Sequence, residues 1–192
     1  MTTPSFTLKA NTTYLVFAFT SSAKGDSATP SSSVDALTFD TIGADSLFYN
    51  GKDYEFGWWV NGGASDASGT ISVTFVKDPA RAYVQVIELY GNDTSNPIAQ
   101  SAYTTGNNTN PYRANLPAAA LASTNFDVYF LDANEDLSPS APTGTPAVTN
   151  LIYQHSPSGS AATYFASTPW QNESFAGGNK HWATIAVEIK RP

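Results

Sequence analysis

The sequence predicts an all-β chain, a Greek-key or jelly-roll-like antiparallel β-sandwich of about nine to eleven strands. Three observations predict it. Apolar runs of strand length recur between clusters of Gly, Ser, Asn and Pro. Several runs alternate with period two, so that Ile71, Val73 and Phe75 point one way while Ser72, Thr74 and Val76 point the other. Charged residues make up 13% of the chain, about half the usual ~25% of globular proteins. Polarity is carried instead by Ser, Thr, Asn and Gly, which favour strands and turns over exposed helices. At 192 residues and 41% hydrophobic, the chain reads as a single folded domain over 1–192, too apolar to stay disordered.

Taken in order, the strands expected are Tyr14–Phe19, Ala36–Asp40, Tyr54–Val60, Thr70–Val76 and Ala82–Tyr90 in the first half. The second half offers Asp127–Leu131, Val148–Gln154, Ala161–Ala166 and Trp182–Ile189. Asn50-Gly51, Asn61-Gly62-Gly63, Ser68-Gly69 and Gly177-Gly178-Asn179 supply positive-φ residues for hairpin turns. Ser21–Ser33 and Ser138–Thr145, rich in Ser, Pro and Thr, read as loops. One helical turn fits Leu116–Ser123, with Pro117 in its first turn. Met1–Leu8 carries no strong fold signal, and residues 1–10 read as an extended attachment arm able to add as a strand to a neighbour's sheet.

An internal duplication shows in the two long strands. Val84-Gln85-Val86-Ile87-Glu88-Leu89 aligns with Thr184-Ile185-Ala186-Val187-Glu188-Ile189, glutamate on glutamate. Each follows an aromatic-rich strand, Phe56-Gly57-Trp58-Trp59 or Thr163-Tyr164-Phe165, and a Gly-rich turn. The pattern is that of two related half-sandwiches.

Charge and composition exclude several classes. A net charge of −7 opposes phosphate backbones, so no nucleic-acid partner is expected. The longest apolar stretch, Tyr14 to Phe19, is far short of the ~20 residues of a membrane helix, and no membrane insertion is expected. Met1-Thr-Thr-Pro is not followed by a basic n-region and an apolar h-region, so no secretory signal is read in the chain as it stands. With no cysteine, disulfides and thiolate metal sites are ruled out.

The first long strand runs into Leu89-Tyr90-Gly91-Asn92-Asp93-Thr94-Ser95-Asn96-Pro97-Ile98. This segment resembles the strand-Gly-x-Asp-Thr-Ser-Asn-Pro turn of β-sandwich modules in tailed-phage structural proteins, decoration or fibre-like, and in bacterial cell-surface proteins. The opening strand Tyr14–Phe19 and the closing strand Trp182–Lys190 are similar to theirs, in the same order. Asn92 stands where those modules carry an apolar residue. The resemblance implies a viral structural protein, a capsid decoration module on the virion surface, or an extracellular or cell-surface module. The motif itself reads as a structural turn. Gly91 gives a sharp exit from the strand, Asp93 and Ser95 bond to nearby amides, and Pro97 keeps the turn from becoming a helix.

No catalytic constellation stands out, and no enzyme is expected. His155 and His181 lack metal-ligand spacing. Ser158-Gly159-Ser160 beside His155 reads as a solvated turn without an orienting third group. Asp132-Ala133-Asn134-Glu135-Asp136 opens like a calcium loop, but Leu137 stands where glycine is required and Thr143 where a bidentate glutamate would close the site. Weak calcium at Asp132, Asn134 and Asp136 is the only cofactor the sequence suggests. Carboxylate pairs for glycoside cleavage, set roughly 5–9.5 Å apart, are Asp53 with Glu55 and Glu88 with Glu188. Asp53 and Glu55 read more simply as charges blunting a sheet edge, and Glu88 and Glu188 as groups that either reach solvent beyond the core layer or find a partner such as Arg81, Arg113, Lys180 or Lys190.

Trp58 and Trp59 are adjacent on a strand, so one ring enters the core and the other faces outward. With Tyr112 and Trp170, and Tyr54 or Tyr103, the outward ring is a candidate sugar or interface contact. Asn-x-Ser/Thr triplets at Asn11, Asn92, Asn107 and Asn172 are expected by chance in such a chain. The expectation is a non-catalytic structural protein on the surface of an assembly, partnered by other subunits through Met1–Leu8. The alternative is a carbohydrate-binding or adhesive module with a glycan partner.

Overall fold

The structure is a computed structural model that describes residues 1–21, 26–34, 37–43, 47–49, 53–117, 122–134, 149–156, 159–175 and 178–192. The all-β expectation holds: 64% of the described residues are in strands, in antiparallel sheets, with no helix among them. Where the sequence reads as one domain over 1–192, the chain divides into two compact units, Met1–Ser95 and Asn96–Pro192.

The first unit carries β1 (Phe6–Leu8), β2 (Thr13–Ser21), β3 (Ala28–Ser32), β4 (Asp40–Thr41), β5 (Leu47–Tyr49), β6 (Asp53–Asn61), β7 (Ala67–Gly69), β8 (Ile71–Phe75) and β9 (Arg81–Leu89). Its main sheet runs β4-β6-β2-β9, with β5 also on β6, while β1 pairs with β7 and β3 with β8. The small pairs form a second layer. Leu8, Ile71 and Val73 pack on Tyr14, Val16 and Ala18 of β2 and on Tyr54, Phe56 and Trp58 of β6. A buried side chain of this size is worth about 1.5–3 kcal/mol, so this apolar face fixes which way β2 and β6 turn.

The second unit carries β10 (Ile98–Thr109), β11 (Tyr112–Asn115), β12 (Phe126–Ala133), β13 (Thr149–Ser156), β14 (Gly159–Ala166), β15 (Asn172–Phe175) and β16 (Lys180–Ile189). Its sheet runs β10-β16-β12-β14-β13, and β11 pairs with β15. Tyr112, Ala114 and Phe175 cover Tyr129, Leu131, Tyr164, Trp182 and Ala186.

The duplication read from the sequence is present in the pairing. Tyr14 lies between Glu88 and Val60, as Asp127 lies between Glu188 and Ala166. Trp58 opposite Val16 corresponds to Tyr164 opposite Tyr129. In this correspondence β1, β2, β6, β7 and β9 match β11, β12, β14, β15 and β16. Among the described residues β10 has no counterpart in the first unit, and β3 and β8 have none in the second.

Several expectations are corrected. Ser21–Ser33 is not wholly loop, because β3 lies within it. Pro30 is tolerated there since, among the described residues, β3 pairs on one side only, with β8. Of the strand expected over Ala36–Asp40, residues 37–39 are not strand, Asp40 opens the two-residue β4, and Ala36 lies outside the described residues. β10 went unrecognised because its twelve residues are mostly polar and its existence depends on β16. Met1–Leu8 is extended but lies on its own unit. Thr3 N–H donates to Ile71 O at 2.9 Å, Val73 N–H donates to Met1 O at 2.8 Å, and β1 pairs with β7. Gly62 is required by close approach and not by positive φ: a Cβ there would sit 2.0 Å from Lys9 O. The loop expected over 138–145, residues 118–121 of the helical turn, Asn50-Gly51 and Gly177 lie outside the described residues.

Candidate functional site

The turn after β9 is held by its own side chains. Gly91 leaves the strand with φ +67°, a conformation that costs glycine little. Asp93 Oδ1 accepts from Ser95 N–H at 2.8 Å, closing an Asx turn. Asn92, the departure from the motif, is buried and donates from Nδ2 to Thr13 Oγ1 at 2.9 Å and to Asp93 O at 3.1 Å. Asn61 Nδ2 donates to Thr94 O. Pro97 O accepts from Lys190 N–H at 2.8 Å. These contacts fix the loop.

The aromatic candidates separate. Trp58 is 5% exposed and lies flat against Phe56, with centroids 5.8 Å apart and planes 3° apart. Tyr112 is fully buried against Trp182 at 5.5 Å. Neither ring is open to a sugar. Tyr54 is also core. Trp59, on the opposite face of β6, is half-buried and lines a groove of about 370 Å³ with Asn11, Leu37, Thr38, Asp40 and Asn61. Trp170 is 43% exposed, and its backbone N–H donates to Asp127 Oδ2 at 2.7 Å.

The carboxylates serve the interior. Glu188 is fully buried and takes three donors, Ala122 N–H at 3.1 Å, Asn125 Nδ2 at 2.6 Å and Gln100 Nε2. Glu88, at the equivalent position, pairs with Lys9 Nζ at 2.9 Å, and Lys9 also donates to Tyr90 OH at 2.6 Å. Their carboxylate and phenol partners hold the Lys9 ammonium above its usual range. The basic partners expected for Glu88 and Glu188 are thus replaced by Lys9 and by amides. Asp53 and Glu55 are buried in β6, an interior strand, so the edge-blunting reading is corrected.

Asp127 and Glu173 were not singled out from sequence. Asp127 is fully buried. Its Oδ2 accepts from Tyr129 OH at 2.7 Å as well as from Trp170 N–H. Burial pushes its pKa up to about 7, opposed by these two donors and reinforced by Glu188 and Glu173. Burial also raises Glu173. For Asp127 the signal in the sequence was an acidic residue inside an apolar strand, at the place where the other unit carries Tyr14; Glu173, in the short polar β15, gave no such signal.

Of the candidate calcium ligands, Asp132 and Asn134 are described. Asp132 lies inside β12, fully buried, opposite Ala161 and Ala183. Asn134 N–H donates to His181 O at 3.0 Å. Asp136, Ser158 and the His155 side chain lie outside the described residues. Among the described residues no group of three His, Cys, Asp or Glu is placed to hold a metal ion.

Beside β9 a second groove of about 370 Å³ is lined by Thr3, Pro4, Phe6, Tyr14, Val86 and Glu88. Val84 and Val86 are only partly buried there. No protein-family model, no curated protein and no solved structure matches this chain.

Proposed function

We propose that the chain is a non-catalytic structural module displayed on the surface of an assembly, with a phage capsid or virion decoration protein as the specific form. The observation that carries the non-catalytic reading is how the acidic side chains are used. Glu188 takes three donors, Asp127 takes two and Glu88 takes an ammonium. Each group is taken up by a hydrogen bond or an ion pair within its own unit, and the two acids that do face each other, Asp127 and Glu188, are both buried inside the sheet and not set across an open groove. The virion form is supported by the resemblance of the Gly91–Pro97 turn and its flanking strands.

The test is co-sedimentation. A tagged chain made in its native source is expected to travel with a large particle and to show no turnover on a glycoside panel. Glycoside cleavage abolished by Glu88→Gln or Glu188→Gln overturns the reading. A second reading, a carbohydrate-binding module, is favoured by the groove that sets the half-buried Trp59 beside Asn11, Thr38, Asp40 and Asn61. It predicts glycan affinity lost in Trp59→Ala, with the chain still folded.

A further inference from the structure

We infer that the outer edge of β9 accepts an extended strand donated by another protein, seated there as β10 is seated on β16. The inference deepens the attachment reading above and rests on it.

The molecule contains its own example of the filled edge. In the second unit β16 is covered along its length by β10, with Gln100 opposite Glu188, Ala102 opposite Ala186 and Thr104 opposite Thr184. Ala102 packs on the core and Gln100 donates to Glu188. The equivalent residues of β9 are Glu88, Val86 and Val84. Among the described residues β9 pairs with β2 alone. Where Ala102 and Gln100 would stand, the first unit has the groove lined by Val86, Glu88, Tyr14 and Phe6.

Among the described residues, the other edges of the two five-stranded sheets are short or bulged, and β9 is neither. β4 has two residues and β5 three. β13 carries a register shift at Asn150/Ile152, and β10 carries two, at Ile98/Gln100 and Gly106/Thr109. Short strands and bulges are the ordinary protection against unwanted pairing. β9 runs nine residues without proline and pairs with β2 in unbroken register. A long, regular edge beside an apolar groove is the geometry of strand addition, in which backbone bonds give affinity and alternate side chains give specificity.

The seat also states the chemistry of the occupant. Beside Val86 it takes a small apolar side chain, as Ala102 is beside Ala186. Beside Glu88 the charge is already met by Lys9, so a neutral hydrogen-bonding side chain fits better than a charged one. The donated segment is therefore a low-charge extended stretch alternating small apolar and polar residues, like Ile98–Thr109.

The probe is a capped synthetic peptide with the sequence of Ile98–Thr109, added to the full chain and followed by residue-resolved hydrogen exchange. Saturating peptide is expected to slow exchange along β9 by about tenfold or more and to leave β16 unchanged. Val86→Glu is expected to weaken binding by about tenfold. A variant-free control uses two peptides, N-methylated at even or at odd positions. Successive residues of a strand send their N–H groups to opposite sides, so one of the two peptides loses binding and the other keeps it. No protection of β9 at millimolar peptide overturns the inference, as does equal binding of both methylated peptides. Protection changes at β16 instead of β9 would mean exchange with β10 and also overturn it. A concentration-dependent dimer protected at β9 without peptide would assign the edge to a second copy, against a donated strand from another protein. Any of these results with co-sedimentation intact leaves the attachment reading in place. Loss of co-sedimentation with β9 protection intact removes that reading alone.

Discussion

Asp127 and Glu188 stand directly opposite each other across the β12–β16 ladder, and both are fully buried. Two carboxylates so placed repel when both are charged. Donors are shared unequally between them: Glu188 receives three, whereas Asp127 Oδ1 has no hydrogen-bond partner among the described residues. Asp127 is accordingly the group whose protonation relieves the pair.

That placement gives stability a pH dependence. The folded-state pKa of Asp127 is raised from 3.8 to about 7, chiefly by burial, so the folded chain holds a proton that the unfolded chain releases. Its contribution is therefore present at low pH and is lost as pH rises from about 4 through about 7. Each tenfold difference in proton affinity between the folded and unfolded chain is worth about 1.4 kcal/mol. Asp127→Asn, which carries no titrating proton, is expected to gain stability relative to the parent as pH rises across that window. Urea melts of both chains at several pH values measure it, and a constant difference would refute the assignment.

Gly62 and Gly63 are adjacent but not equivalent. A Cβ on Gly62 meets Lys9 O at 2.0 Å, whereas one on Gly63 meets nothing nearer than 4.0 Å. Gly62→Ala is expected to cost about 1–3 kcal/mol or more, and Gly63→Ala about 0.5 kcal/mol or less. Thermal melts of the two variants read the contrast.

Trp58 and Trp59 are expected to part in the same way. Trp58→Ala opens a cavity beside Phe56 and costs about 3–5 kcal/mol. Trp59→Ala, on the half-buried face, is expected to cost about 1 kcal/mol or less. Equal losses in chemical denaturation would contradict the assignment of Trp58 to the core.

The turn after β9 has its own test. Asp93→Ala removes the acceptor of the Ser95 amide and is expected to cost about 1 kcal/mol. Asp93→Asn keeps an acceptor in the same place and is expected to recover most of it.

Removing Met1–Leu8 takes away β1 and Leu8, which is 1% exposed, together with the backbone bonds from residues 1 and 3 to β8. The truncated chain is expected to lose at least about 2 kcal/mol, with exchange rising first along β7 and β8. An unchanged melt would restore the segment as a free arm.

Much of the main framework was legible in the residues. The apolar runs placed β2, β6, β8, β9, β12, β14 and β16, because alternation and apolar length are properties of neighbouring residues. The offset that set Glu88 on Glu188 held in the ladders, where Leu89 and Ile189 pair with Thr13 and Phe126. The Asx turn at Asp93 was legible for the same reason, since its acceptor and donor lie two residues apart.

The candidate sites were less legible, because each depended on a distant partner. Adjacency required Trp58 and Trp59 to face opposite ways, but only the layer supplied by β1 and β8 determined that Trp58 is the buried ring. Asp132 reads as the start of a loop until β14 and β16 pair on either side of it. β10 has little apolar signal and is a strand because β16 offers it an edge. From its order of residues alone this protein determines where strands run and which side chains share a face, since a strand's repeat is local. Tertiary structure alone decided which faces and edges are covered, since burial and pairing join residues that the sequence holds far apart.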